Sequence, residues 1–247
     1  MNFDYTYIRL LGFTFFEPLA ILSNVLFFFL CLYFFVKLKR FNHSYGKQMR
    51  WFLLFLGSGG FFGAIAHAVH YQLGVDFFRT IFFIMNTLSL LSFYYCFRAP
   101  HTYYNLNREP SRLTINLAIT WLVAVIGISY LVENFLLIKV HAGIVMLYSL
   151  IVHYMVYKRN NEKGSALIVT GILISFGSIV VHSLRLTIHE WFNYKDLAHA
   201  IIMSSVFFIY RGITLNSLQL ESIESETVQE AEEQPEYAGE SGVLTEN

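Results

Sequence analysis

The side chains best suited to chemistry in this sequence are histidines and carboxylates that stand beside long apolar runs. His67 closes one run and His182 stands near the end of another, while Asp196 and His199 open a third, three residues apart. Histidines and carboxylates at one depth on different helices can build a metal site, because imidazole and carboxylate are both zinc ligands. The first question is therefore which elements would bring these side chains together.

The composition indicates a membrane protein. Of the 247 residues, 55% are hydrophobic and 14% are charged, against roughly 25% charged in an average soluble domain. A membrane-spanning helix needs about 20 mostly apolar residues. The runs predict an all-α fold within residues 1–216, a bundle of seven transmembrane helices at about 17–36, 51–71, 77–97, 113–132, 135–157, 164–188 and 194–213.

The loop charges predict the direction of the chain. With the N-terminus outside, twelve of the seventeen Lys and Arg residues fall on the inner side, as the positive-inside rule requires. The chain is then N-out and C-in, and we predict a location in a bacterial inner (plasma) membrane, with the lipid bilayer as its main partner. Residues 217–247 are acidic and contain no Lys or Arg, so we expect a disordered cytoplasmic tail.

In this orientation the histidines gather at the outer ends of the helices. Six of the nine lie there, namely His67, His70, His141, His182, His189 and His199. Ionisable groups in spans are costly and are functional candidates by default. Two other interpretations stay open, buried histidines that bond to neighbouring helices and a proton relay. Asp76 with Arg79 is also typical of a local ion pair, and the glycines of GSGG (57–60) are typical of close helix packing.

Three short segments resemble motifs of the CREST superfamily of heptahelical membrane proteins, which includes alkaline ceramidases and the progestin and adiponectin receptors. GAIAHAVH (63–70) places His67 where the family has its second-helix His, and Asp76 follows. DLAH (196–199) places His199 at the second His of the seventh helix. Glu17, with Asn24 after it, is similar to the first span of the ceramidases.

Two positions depart from the family pattern. Gly63 stands in place of the family's Ser, and Lys195 in place of its first seventh-helix His. The segments EP (17–18), HAVH (67–70) and WFNYKDLAH (191–199) also resemble a family of uncharacterised bacterial membrane proteins.

The CREST resemblance implies a zinc-dependent intramembrane hydrolase that acts on a lipid amide or ester. The metal ligands would be His67, His182 and His199, and Asp76 or Asp196 would position the water. Zinc would lower the pKa of that water towards about 7. Two other functions are kept open, a non-catalytic heptahelical receptor or scaffold and a proton-coupled transporter. The basic residues follow topology and form no dense patch, so nucleic acid is not an expected partner.

Overall fold

The computed structural model describes residues 6–10, 12–69, 74–132 and 135–233. A short antiparallel hairpin comes first, followed by seven helices. The elements are β1 (Tyr7–Leu10), β2 (Phe13–Phe16), α1 (Pro18–Lys37), α2 (Ser44–Val69), α3 (Gly74–Tyr104), α4 (Arg112–Val132), α5 (Phe135–Asn160), α6 (Lys163–Leu184) and α7 (Tyr194–Glu233), with a 3-10 turn at Leu38–Arg40 after α1.

All seven helices are long and apolar enough to cross a membrane. Their backbone groups are bonded within each helix, which is what a hydrocarbon environment demands. The chain is therefore an integral membrane protein, and the prediction of seven spans is confirmed. The direction of the bundle stays a prediction, so its two ends are named here by their residues. The His end contains the start of α1 and α7 and the end of α2 and α6. The basic end contains the opposite ends of these helices.

Six helices form a ring in which the order is α1, α2, α3, α5, α6 and α7, with α7 again beside α1. Helix α4 packs outside this ring against α3 and α5, and its large apolar side chains, such as Leu117 and Leu131, are mostly exposed. A helix with such a surface suits contact with lipid. The ring therefore encloses the interior of the bundle, and α4 lies on its periphery.

Small residues bring neighbouring helices into close contact. A Cβ added to Gly171 of α6 would lie 2.8 Å from the backbone oxygen of Ser205 in α7. In α2, a Cβ on Gly60 would lie 2.8 Å from a ring carbon of Phe27 in α1. Small side chains permit such approaches between membrane helices. The interpretation of GSGG as a packing segment is confirmed.

Two regions differ from the sequence-based expectation of an all-α chain with a disordered tail. The first is the hairpin, in which Tyr7 pairs with Phe16 and Gly12 turns the chain at a φ of 83°. Alternation over four residues per strand is too short to be recognised with certainty in a sequence.

The second is the tail, because α7 continues to Glu233. Residues 217–233 contain neither Pro nor Gly, and the first of them pack inward, with Ser217 and Leu220 almost fully buried. That packing stabilises a helix in an otherwise acidic segment. Residues 234–247 of the predicted tail, and His70, lie outside the described residues.

Candidate functional site

Glu17 lies at the centre of the polar contacts at the His end. It occupies the N-cap position of α1 just before Pro18, with a left-handed φ of 49°. Non-glycine residues adopt this conformation only when their surroundings require it. Its carboxylate accepts hydrogen bonds from Lys195 Nζ at 2.7 and 2.6 Å and lies 3.0 Å from His67 Nδ1. One carboxylate therefore joins α1, α2 and α7.

The two basic partners determine the charge of Glu17. Its side chain is buried, and burial alone would raise the pKa of the carboxyl group. Hydrogen bonds from His67 and Lys195, together with their positive charges, outweigh that effect and lower the pKa from 4.5 to about 2. Glu17 is therefore ionised at any physiological pH, and the Lys195 ammonium lies beside a permanent negative charge.

Two further hydrogen bonds join helices at this end. Ser23 Oγ of α1 lies 2.8 Å from His199 Nδ1 of α7, and Lys139 Nζ of α5 lies 3.2 Å from His182 Nδ1 of α6. An ammonium group can only donate, so His182 Nδ1 is the acceptor and a neutral His182 carries its proton on Nε2. All three histidines that the resemblance implies as ligands are thus engaged through Nδ1 in bonds between helices.

Asp196 belongs to the start of α7. Its Oδ2 accepts a bond from the backbone N–H of Asn193 at 3.0 Å, and Asn193 Oδ1 accepts one from the backbone N–H of Lys195 at 2.8 Å. This arrangement is similar to a capping box, with Asn193 bonded to the second helical residue, and it satisfies free N–H groups at the helix start. Asp196 is 2% exposed, and its Oδ1 has no hydrogen-bond partner among the described residues.

Asp76, the other predicted catalytic carboxylate, is placed differently. Its side chain is fully exposed and lies 3.9 Å from Arg79 of the same helix. The surroundings of Asp76 therefore match the alternative interpretation, a local ion pair with Arg79. The structure brings His67, His182 and His199 to one cavity, keeps Asp196 beside them as a cap, and leaves Asp76 outside the group.

The cavity lies inside the ring and extends from the His end towards the middle of the bundle. Its volume is about 450 Å³, within the usual range for small-molecule sites. Most of its wall is apolar, formed by side chains such as Phe27, Phe52 and Ile209. Its polar groups at the His end are Lys139, Lys195, His67, His182, His199 and Ser183. The described lining residues include two lysines and no carboxylate.

The described side chains around the cavity do not match the predicted zinc site. Among residues 6–10, 12–69, 74–132 and 135–233, no three His, Cys, Asp or Glu side chains form a group that could hold a metal ion. A lysine ammonium stands among the histidines instead, and a charged ammonium is not a metal ligand. The described side chains therefore do not form a complete ligand set for zinc.

A protein-family model matches residues 19–217, which is most of the chain and includes parts of all seven candidate spans. The matching family is described as a family of unknown function, DUF6962. The chain belongs to this family. None of the curated proteins matches the chain. The expected kinship with an uncharacterised family is thereby confirmed, whereas the link to the CREST superfamily stays a prediction.

Lys195, Lys139 and Ser23 are partners of the site that the sequence motifs do not indicate. Lys195 was interpreted only as a missing histidine, although a lysine at the start of one span and a carboxylate at the start of another are potential partners at equal depth. That matching depth was the available signal for the Glu17–Lys195 pair. Ser23 had no such signal, since serines recur throughout the spans.

Proposed function

We propose that this protein is a non-catalytic, receptor-type membrane protein that binds an amphiphile with one acyl chain and an anionic head group. The observation that supports this most directly is the polarity of the cavity. An apolar chamber ends in two lysines and three histidines, and its described lining contains no carboxylate.

The chamber and its polar end would act on different parts of the ligand. The apolar wall would bury the acyl chain, which stabilises binding in proportion to the area removed from water. The Lys139 ammonium would donate to a carboxylate or phosphate, and charge-assisted hydrogen bonds are about twice as strong as neutral ones. Lys139 lines the cavity and contacts His182, so we expect head-group recognition to depend on it.

A bound anion would also change the contacts between helices. Lys139 donates to His182 across α5 and α6, and an anionic head group would compete for that donor. Occupancy of the cavity would then alter the packing of these two helices, which is the behaviour expected of a receptor whose ligand favours one of two arrangements.

The test compares head groups and two lysines on the same helix. Binding of palmitate, lysophosphatidate and hexadecanol to the purified protein in nanodiscs would be measured for the wild type, Lys139→Met and Lys158→Met. Lys158 is exposed at the opposite end of α5 and matches Lys139 in charge. We expect both anions to bind, and Lys139→Met to weaken them by about tenfold to a hundredfold, the loss of one charge-assisted hydrogen bond.

Each result has a defined meaning. A preference for palmitate over lysophosphatidate would identify a carboxylate ligand, and the reverse order a phosphate ligand. The proposal fails if hexadecanol binds as tightly as the anions, or if Lys158→Met weakens binding as much as Lys139→Met.

Zinc-dependent hydrolysis of a lipid amide or ester is a second candidate. One observation favours it, since His67, His182 and His199 line the same cavity, and a carboxylate on His67 Nδ1 resembles the partner that orients metal-bound histidines. Metal analysis of the purified wild type, His67→Ala and His199→Ala tests this candidate. Stoichiometric zinc in the wild type that both variants lose, with release of fatty acid from a ceramide-like amide, would favour the enzyme over the receptor.

A further inference from the structure

Two of the residues that line the cavity are exposed, and both belong to α6. Ile179 is 41% exposed and Ser183 is also exposed, whereas the other lining residues are buried or partly exposed. Facing them from α5 is Gly143, which lines the cavity and is partly exposed. A residue that both lines a cavity and contacts the exterior marks a place where the cavity opens.

The space beside Gly143 is empty, whereas the space beside the other cavity glycines is occupied by neighbouring side chains. A Cβ added to Gly143 would meet no atom within 4 Å, whereas one added to Gly59, Gly60 or Gly63 of α2 would lie within 3.3 Å of a neighbouring side chain. The α2 glycines therefore permit helix contact. Gly143 instead borders an open gap beside α5.

The gap faces the bilayer. The neighbours of Gly143 on the outer surface of α5, Val140 and Ile144, are 52% and 60% exposed, and they lie within a helix that is long and apolar enough to span a membrane. Apolar side chains exposed within a span contact lipid chains. The bond between Lys139 and His182 crosses between the same two helices one turn nearer the His end.

We propose that the cavity opens sideways into the lipid phase between α5 and α6, and that the ligand enters and leaves through this opening. This inference rests on the proposed function, because it concerns the route of the amphiphile to the cavity. The acyl chain would pass beside Gly143, and the anionic head group would travel at the depth of Lys139. A lipid ligand then reaches its site without leaving the membrane.

The test places a bulky side chain in the opening and compares it with the same change elsewhere. Gly127 of α4 is the matched control, since a Cβ there also meets no atom within 4 Å and the residue does not line the cavity. Palmitate uptake and release would be followed by stopped-flow fluorescence in nanodiscs. We expect Gly143→Trp to slow both rates by about tenfold, because an obstructed route affects entry and exit alike. Gly127→Trp should exchange like the wild type.

A second variant covers the case in which tryptophan reduces the cavity itself. Gly143→Cys leaves the opening small but present until N-benzylmaleimide is added after palmitate has been loaded. Cys31 and Cys96 are 0% and 3% exposed, so the introduced thiol is the accessible one among the described residues. We expect alkylation to slow palmitate release from Gly143→Cys and to leave Gly127→Cys unchanged.

The two proposals fail in different ways. A wild type that binds none of the anionic amphiphiles would overturn the proposed function and with it this route. A wild type that binds palmitate, with release from alkylated Gly143→Cys as fast as before alkylation, would overturn lateral entry and leave the proposed function standing.

Discussion

Both ends of the bundle join their helices through a glutamate, but the partners of the two glutamates differ in charge. At the His end, Glu17 contacts the Lys195 ammonium and the His67 ring. At the basic end, Glu162 accepts bonds from the neutral groups Tyr103 Oη at 2.6 Å and Gln219 Nε2 at 3.1 Å. Glu17 thus forms an ion pair, whereas the bonds that Glu162 accepts from Tyr103 and Gln219 come from neutral groups.

The two ends also differ in how their interiors are filled. At the basic end, large side chains such as Phe41 and Tyr45 are fully buried, and Asn216 Nδ2 donates to Tyr45 Oη at 3.4 Å. At the His end, the interior is a cavity with polar groups on its wall. The comparison teaches that polar bonds between helices do not by themselves indicate a site. A site is indicated where charged side chains border open space.

The largest expected effect is a difference in the free energy of unfolding that is lost when each of the two glutamates is replaced. Glu17→Gln removes the negative charge and leaves the half-buried Lys195 without its carboxylate, so we expect the free energy of unfolding to fall by about 3 kcal/mol. Glu162→Gln is the matched change among neutral partners and should cost about 1 kcal/mol. Denaturant unfolding in detergent measures both. Equal losses would contradict the distinction between the two ends.

A second effect depends on pH. The pKa of Glu17 is about 2 in the folded protein and 4.5 ordinarily, so its contribution to stability is fully present above about pH 4.5 and is lost as the pH falls through about 2. The difference in unfolding free energy between the wild type and Glu17→Gln should therefore shrink across this range. The subtraction removes the titration of the other carboxylates, and a constant difference would show that Glu17 keeps its ordinary pKa when folded.

The smallest expected effect concerns the basic end alone. Tyr103→Phe removes the hydroxyl that donates to Glu162, while Gln219 continues to donate, so we expect a loss of about 1 kcal/mol in unfolding free energy. Palmitate affinity should not change, because Tyr103 does not line the cavity. A weakened affinity in this variant, measured beside Lys139→Met, would show that the two ends are coupled.

Much of the fold follows from local patterns. The apolar runs predicted seven helices, and α4 and α5 begin within one residue of their predicted starts. Helix α2 instead begins at Ser44, seven residues before the predicted start, because its first turns carry Lys47 and Arg50. Long basic side chains extend from a helix end towards water, so charge does not end the helix. Run length alone underestimates helices of this kind.

The site was predictable only in part. The gathering of histidines at one end was visible in the sequence, and His67, His182 and His199 do line one cavity. The contacts of the carboxylates were not visible, and their catalytic role stays a prediction. Asp196 was interpreted as a catalytic group and forms an arrangement similar to a capping box, and Asp76 lies exposed beside Arg79. Both carboxylates stand at helix starts, where capping and catalysis use the same residue types.

The sequence by itself determined that this is a seven-helix membrane protein with its histidines concentrated at one end. Run length and residue type are properties of single segments, and a lipid environment turns them directly into spanning helices. Only the tertiary structure decided that Lys195 lies on Glu17, 178 residues away in the chain, and that a cavity lies beside this pair. Both depend on how each helix is rotated against its neighbours, which is determined by small residues and packing across the whole ring.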